Sequence, residues 1–233
     1  MPSLSLRSEG EMNDSVANTF GGESEGACDI MKTDIKQRKD GRRMSMPKQF
    51  VLASGSKRRR ELLAMLDVSF EVIKPGVDET LDETMSIEHA VMDLALRKAK
   101  AVLRQKPRAL VLACDTLVMV GDTLLGKPED KDHAREMFMT LRGETNRVIS
   151  GCALIDDTHE EVYYGEAFVT FSQMSDEEIE AYISTEEPYD KSGGYGIQGP
   201  AAKHIDTMRG DYYSVMGLPM HKTYVRLKRR GVL

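Results

Sequence analysis

The chain has 233 residues, 40% hydrophobic and 30% charged, a composition typical of a globular protein with a sizeable core. The formal net charge of -6 counts against a protein that binds nucleic acid through its overall charge, so polyanions would need a local basic patch. No apolar run approaches the length of a membrane span and no signal-peptide core opens the chain, which argues against a membrane protein and a secreted one.

The three cysteines, Cys28, Cys114 and Cys152, contain no CxxC pair. An odd number without paired spacing argues against a disulfide framework and against a zinc knuckle. We therefore expect reduced thiols in a cytoplasmic protein.

Residues 1–46 are dominated by Ser, Gly, Glu, Asp and Asn and show no apolar periodicity. Such a segment cannot offset its ordering entropy by burying apolar surface. We predict a disordered N-terminal extension over residues 1–46 and one folded domain over residues 47–233. Acidic residues near the start argue against a mitochondrial presequence.

The folded part begins at Phe50, and its strands and helices alternate. The first half should contain a strand "FVLA", a helix "RRELLAML", a strand "FEVIKPG", a helix over 86–104 capped by Ser86 and a central strand "ALVLACDTLVMV". A helix capped by Asp130 and the paired antiparallel strands "RVISGCALID" and "EVYYGEAFVTF" come next. The last part should contain a helix opened by the capping box "SDEE", a glycine-rich loop "GGYGIQG", a hairpin "AKHIDTMRGDYYSVMG" and a final helix opened by Pro219. This interleaving predicts an α/β or mixed α+β fold.

Four cations, residues 57–60, stand at the start of the first helix, where the helix dipole disfavours positive charge. Free backbone N–H groups at this end form an anion site, to which Ser54 and Ser56 add hydroxyls and Arg58 and Arg59 add guanidinium forks. This pattern favours a polyphosphate ligand. The alternative is a solvated basic face in which Ser54 or Ser56 is a plain helix cap; the spacing of a Walker A loop is absent.

Two charged residues occupy positions that otherwise read as apolar. Lys98 falls in the middle of the apolar stripe of helix 86–104, so it either snorkels to an edge or points into a cleft that holds an anion. Asp115 lies inside the central strand, where a carboxylate is costly unless it is paired, bound to metal or beside a cleft. We favour a cleft for Asp115, since carboxylates there suit metal binding and general base catalysis.

Three further signals are weak by themselves. Lys127 stands in the loop "GKPED", Glu79 lies in the acidic turn "GVDET", and Gln198 lies in the glycine-rich loop, where an amide can contact a base edge through one donor and one acceptor. An ordinary loop or turn explains each of them singly. Taken with the basic cluster, they indicate a nucleoside triphosphate site with a divalent metal.

The segments "LASGSKRRRELL", "VDET", "LALRKAKAV", "ACDTLV", "GKPEDKDHA" and "DKSGGYGIQG" occur in an order and spacing similar to those of the Maf family of nucleoside triphosphate pyrophosphatases. The resemblance runs from about Phe50 to near the C-terminus. It implies an elongated mixed sheet flanked by helices, in two lobes with a central cleft, similar to inosine triphosphate pyrophosphatases. It also implies a homodimer.

By this resemblance Asp115 is the catalytic carboxylate and Glu79 a further polar position of the active site. In the mechanism we predict, Asp115 is the proton acceptor, and Glu79 and Asp115 are ligands of Mg²⁺ or Mn²⁺. The alternative is that Asp115 is chiefly a metal ligand and that the metal alone activates the water. Together with the anion-site pattern, the motifs predict a set of substrate-binding residues: Ser54, Ser56, Arg58, Arg59, Lys98, Thr116, Lys127 and Gln198. The set Arg58, Thr116 and Gln198 resembles the branch that acts on dTTP and UTP. Two residues depart from the pattern: Lys57 replaces the usual Pro, and Cys114 the usual Ala before the aspartate.

Two alternatives remain open at the level of sequence. One is a pyrophosphatase for 7-methyl-GTP or another modified nucleotide, and the other is a nucleotide-sensing regulator of cell division without significant turnover. A nucleic-acid binder is disfavoured, because the net charge is acidic and no aromatic residues interleave with the basic cluster.

Overall fold

The computed structural model describes residues 48–233, so the predicted disorder of residues 1–46 lies outside the described part of the chain. The strands are β1 Phe50–Ala53, β2 Glu71–Val72, β3 Leu110–Val120, β4 Thr123–Leu125, β5 Thr145–Ile155, β6 Glu160–Phe171 and β7 Ile205–Gly210. The helices are α1 Lys57–Ala64, α2 Ile87–Gln105, α3 Lys131–Leu141, α4 Asp176–Ile183, α5 Tyr212–Val215 and α6 Met220–Arg229. Three short 3₁₀ segments, Pro188–Asp190, Ser192–Gly194 and Pro200–His204, connect α4 to β7.

The strands form one mixed sheet in the order β2-β1-β3-β5-β6-β7, with β4 also paired to β3. β1 runs parallel to β2 and β3, while β3 through β7 pair antiparallel along the sheet. The predicted mixed α/β architecture, an elongated sheet flanked by helices, is confirmed. No helix between residues 48 and 233 has the length and apolar character needed to cross a membrane.

The helix starts follow the predicted capping chemistry. The side chains of Ser86, Asp130 and Ser175 each accept a backbone N–H at the start of α2, α3 and α4, and Ser175 forms a complete capping box with Glu178. The predicted hairpin over 202–217 is wrong. Only β7 is extended there; it pairs with β6, and Asp211 then caps α5.

The central strand β3 presents its alternate residues to opposite faces of the sheet. Val111 and Ala113 pack with Ala99 of α2 on one face. Leu112 and Cys114 belong to a second cluster on the other face, which also contains residues of α1 and α6. The consecutive residues at positions 115 and 116 therefore point to different faces, and the site must take residues from both.

The sheet contains a gap beside the middle of β3. On one side of β3, β1 pairs only as far as Ala113, and β4 begins pairing at Val118. Within residues 48–233, no strand pairs with residues 114–117 on this side, although β5 pairs with all of them on the other. The gap separates the β1 side of this edge from the β4 side, as expected of two lobes.

Candidate active site

Two predicted binding loops leave the strands at this gap. The C-terminal end of β1, Ala53, is adjacent to Ala113, so the Ser54–Ser56 loop enters the gap from one side. The C-terminal end of β4, Leu125, is adjacent to Val118, so the loop with Lys127 enters from the opposite side. Strand register therefore places segments 54–56 and 126–127, which are 70 residues apart in sequence, around the same four residues of β3.

Lys98 and Asp115 form the buried centre of the site. Lys98 Nζ donates to Asp115 Oδ1 at 2.5 Å and lies 2.7 Å from Glu79 Oε1. The side chains of Lys98 and Asp115 are 7% and 14% exposed, whereas Glu79 is 64% exposed. Lys98 thus points into the site instead of snorkelling to an edge, and its ammonium joins two carboxylates from segments distant in sequence.

A glycine opposite Asp115 allows this contact. Gly151 pairs with Asp115 across β3 and β5. A Cβ on Gly151 would lie 2.6 Å from the backbone carbonyl atoms of Val91, so only a residue without a side chain lets α2 lie this close to the sheet. Lys98 follows Val91 by two helical turns, and the close approach therefore brings its ammonium over Asp115.

Cations dominate the electrostatics around Glu79. The hydrogen bond from Lys98 lowers the pKa of the Glu79 carboxyl, and the charges of Lys98, Lys127 and Arg59 lower it further, against the opposing effect of burial. Glu79 is therefore ionised at neutral pH. Lys127 is exposed and close enough to act on this carboxylate, as expected of a residue that faces an anionic ligand.

On the other face of the sheet, Arg59 organises a hydrogen-bond chain. Its Nη2 donates to Thr116 Oγ1 at 2.8 Å and its Nε donates to the Gly217 carbonyl at 2.9 Å. The Thr116 and Ser150 hydroxyls are 2.8 Å apart, and Ser150 Oγ donates to the Ser214 carbonyl at 2.7 Å. Because the Ser150 hydroxyl donates its only hydrogen to the Ser214 carbonyl, the Thr116 hydroxyl donates to Ser150 and accepts from Arg59.

The basic cluster at the start of α1 divides into residues with different partners. Ser56 is the N-cap and accepts the Arg59 N–H at 3.4 Å, while Ser54 Oγ accepts the Ser56 N–H at 3.2 Å. Ser54 is buried, so its hydroxyl helps to order the loop. Burial lowers the pKa of the half-buried Arg58, and the charge of Asp190 opposes this effect. Arg58 therefore lies near the segment that follows α4.

The glycine-rich loop is fixed to the β4 side of the gap. The Gly193 N–H donates to the Gly126 carbonyl at 2.9 Å, next to Lys127. Gly193 has a φ of +76°, and a Cβ there would lie 2.9 Å from Val118, so this position requires glycine. Gln198 is exposed further along the loop. The loop, Lys127 and Arg58 therefore border the same part of the molecule.

The donor chemistry of Glu79 and Asp115 fits a magnesium-type ion. Their oxygens already converge on one cation, the ammonium of Lys98. Residues 48–233 contain no cluster of three or more His, Cys, Asp or Glu able to hold a metal. Two carboxylates suffice for Mg²⁺ when substrate phosphates complete its coordination, which is the usual arrangement in nucleotide enzymes.

Several residues of this region were not identified from the sequence. Ser150 and Ser214 look like ordinary polar residues there, and Gly217 gives no local sign that it touches Arg59. Two surface cavities of about 400 and 350 Å³ share Lys100 and Arg104 and contain none of the predicted site residues. Burial and charge, more than cavity size, locate this site.

Known proteins resemble the chain over most of its length. The Maf-like protein family matches residues 49–230. A dTTP/UTP pyrophosphatase of Bacillus cytotoxicus is 44% identical over 182 residues, which cover 78% of this chain and 95% of that protein. A dTTP/UTP pyrophosphatase of Bacillus anthracis is 42% identical over 185 residues, covering 79% and 97%.

Among solved structures, the Ham1 protein of Staphylococcus aureus is 17% identical with a TM-score of 0.39, covering 53% of this chain and 72% of that one. The order and spacing of the sequence motifs, their meeting at the gap in the sheet and the family match across residues 49–230 agree. The chain belongs to the Maf family.

Proposed function

We propose that this chain hydrolyses dTTP and UTP to the nucleoside monophosphate and pyrophosphate at the gap beside β3. The observation that carries the proposal is the buried Lys98 ammonium joining Asp115 and Glu79, with cationic loops on both sides. This combination suits a polyanion that approaches a carboxylate. The relatives named dTTP/UTP pyrophosphatase support the choice of reaction and substrate.

In the proposed reaction, Asp115 accepts a proton from the water that attacks a phosphorus of the α–β phosphoanhydride. The anhydride linkage between the α and β phosphates breaks, and pyrophosphate leaves. The Asp115 oxygen that accepts the hydrogen bond from Lys98 must accept one from the water instead. Glu79 can keep the Lys98 ammonium paired during this exchange. Lys98, Lys127 and Arg58 stabilise the charge that develops on the triphosphate and on the leaving pyrophosphate, which is mainly an electrostatic contribution.

Glu79 and Asp115 are the residues that would hold Mg²⁺ or Mn²⁺. When bound, the ion supplies charge neutralisation at the phosphates and lowers the pKa of a coordinated water. Ser54 and Ser56 order the loop whose free N–H groups face the phosphates, and Arg59 holds Thr116 in one orientation. We assign base reading to Gln198 because its amide offers a pyrimidine O4 a donor and N3–H an acceptor.

Pyrophosphate release from a panel of nucleoside triphosphates tests the proposal. The panel contains dTTP, UTP, ATP and 7-methyl-GTP, each with Mg²⁺ or Mn²⁺, and compares the wild type with Gln198→Glu. We expect the highest kcat/KM for dTTP and UTP, and a lower selectivity for them in the variant. A preference for 7-methyl-GTP would overturn the substrate assignment. Tight binding of every nucleotide without pyrophosphate release would overturn hydrolysis itself.

The homodimer, the cytoplasmic location and a disordered extension over residues 1–46 stay predictions. Size-exclusion chromatography with light scattering on the full chain decides the first of these.

A further inference from the structure

Glu187 carries a buried carboxylate oxygen that the proposed reaction does not use. The residue immediately precedes the 3₁₀ segment Pro188–Asp190. Its Oε2 is buried and has no hydrogen-bond partner within residues 48–233. An unsatisfied carboxylate oxygen is among the costlier groups to bury, so a fold that keeps one gains something from it elsewhere.

The carboxylate of Glu187 fills the space that side chains at positions 196 and 199 would need, and both positions are glycine. A Cβ on Gly199 would lie 1.6 Å from Glu187 Oε1, and a Cβ on Gly196 would lie 2.6 Å from it. The two glycines close a turn in which the Gly199 N–H donates to the Gly196 carbonyl at 3.1 Å. The carboxylate therefore packs directly against this turn, and Gln198 is one of the two residues between the glycines.

Neighbouring contacts hold Glu187 in this position. Lys191 Nζ donates to the Glu187 carbonyl at 2.7 Å, and the Lys191 stem lies against the same face of Gly196, with Cε 3.1 Å from the position of a Cβ. Tyr182, which is buried, is also a neighbour of Glu187: burial raises the pKa of the Tyr182 hydroxyl, and the charge of Glu187 raises it further. The carboxylate is thus packed between the turn and fixed neighbours.

Glu187 also acts on Arg58, which belongs to the same predicted specificity set as Gln198. The charges of Asp190 and Glu187 oppose the lowering of the Arg58 pKa by burial, so both carboxylates lie within electrostatic reach of its guanidinium. Glu187 thus contacts the turn that carries Gln198 and acts through its charge on Arg58, which is proposed to bind the phosphates.

We propose that Glu187 is a positioning residue, which holds the Gly196–Gly199 turn so that Gln198 reads the base in a single orientation. The effect on base selectivity rests on the proposed function, whereas the effect of Glu187 on the order of the turn does not depend on it. The same arrangement explains why positions 196 and 199 are glycines, because any side chain at either position would displace the carboxylate.

Kinetics with matched variants test the effect on selectivity. Glu187→Ala removes the carboxylate and Gly199→Ala displaces it, while Glu186→Ala removes the exposed neighbouring carboxylate as a control. We expect the ratio of kcat/KM for dTTP to that for GTP to fall about tenfold in the first two variants, mainly through KM for dTTP. The ratio should stay at its wild-type value in the control. An unchanged ratio in Glu187→Ala would overturn the role in selectivity.

A nitroxide label at position 198 tests positioning without any turnover. The label is attached to Gln198→Cys in a Cys28→Ser background, in which the remaining cysteines, Cys114 and Cys152, are buried. We expect the spectrum to show faster motion of the label when Glu187→Ala is added, and no change with Glu186→Ala. Identical spectra would overturn the positioning role even if the enzyme is active. If the wild type hydrolyses no nucleotide, the proposed function fails and the spectra still decide.

Discussion

Asp115→Asn separates the chemistry of the site from its packing. The asparagine keeps the size of the side chain and an oxygen facing Lys98, but it removes the charge and the ability to accept a proton. A general base of this kind contributes roughly 10²–10⁴-fold to rate, so we expect kcat to fall by that factor. The fold should persist, because Lys98 keeps its contact with Glu79 at 2.7 Å.

The stability cost follows from the same contacts. Removing one partner of a fully buried ion pair costs about 3–5 kcal/mol. Here Glu79, 64% exposed, remains beside Lys98, so the loss should be nearer that of a charged hydrogen bond, about 1–3 kcal/mol. Urea unfolding measures this value and pyrophosphate release measures kcat.

Asp122→Asn, in the exposed turn between β3 and β4, is the matched control and should change neither quantity. Turnover of Asp115→Asn within tenfold of the wild type, with dTTP binding intact, would refute the role of Asp115 as the base.

Three further predictions concern the stability and packing of the fold. Arg59→Lys cannot keep both hydrogen bonds of the guanidinium, so its free energy of unfolding in a urea titration should fall by about 1–3 kcal/mol. Arg60→Lys, at the exposed neighbouring position, is the control, and its free energy of unfolding should stay within about 0.5 kcal/mol of the wild type. Burial raises the pKa of Asp156, but hydrogen bonds from its own loop and from Lys48 outweigh this and hold it well below its usual range. Stabilisation by this carboxylate is therefore present above the unfolded pKa of about 3.9 and is lost as pH falls towards the folded one. Urea unfolding should find Asp156→Asn less stable by about 1–3 kcal/mol at pH 7, with the difference from wild type narrowing below pH about 4; a constant difference would contradict the assignment. Cys114 and Cys152 are both buried, and burial raises the pKa of the Cys152 thiol. No more than one of the three thiols should therefore react quickly with a disulfide reagent in the native protein, and all three should react in guanidinium; fast reaction of two native thiols would contradict this.

Local chemistry made much of the fold predictable. The caps at Ser86, Asp130 and Ser175 depend on residues three positions apart, which the sequence displays directly. Lys98 could also be identified from the sequence, because its position in the apolar stripe of a helix is unusual for a lysine. The hairpin prediction failed because the partner of β7 is β6, more than thirty residues earlier in the chain. A cap at Asp211 was the available sign that a helix follows.

The centre of the site depends on strand register, which the sequence does not display. Nothing in "ALVLACDTLVMV" shows that β1 stops pairing at Ala113 and that β4 starts at Val118. The gap arises from where two other strands end, and it decides which loops meet Asp115. Sequence patterns could therefore nominate Ser54 and Lys127 but could not place them on opposite sides of one opening.

Gly217 makes this dependence testable, since its importance comes only from contacts made by the folded chain. It has a φ of +102°, and a Cβ there would lie 3.2 Å from both Arg59 Nε and Thr116 Oγ1. Gly217→Ala should therefore combine backbone strain of about 1–3 kcal/mol with displacement of the Arg59–Thr116 hydrogen bond. Gly121→Ala is the control for strain alone, because Gly121 also has a positive φ of +55° but no atom within 4 Å of an added Cβ. We expect both variants to lose unfolding free energy in urea, but only Gly217→Ala to lose activity towards dTTP. Equal activity in the two glycine variants would mean that the Arg59–Thr116 contact does not support the site.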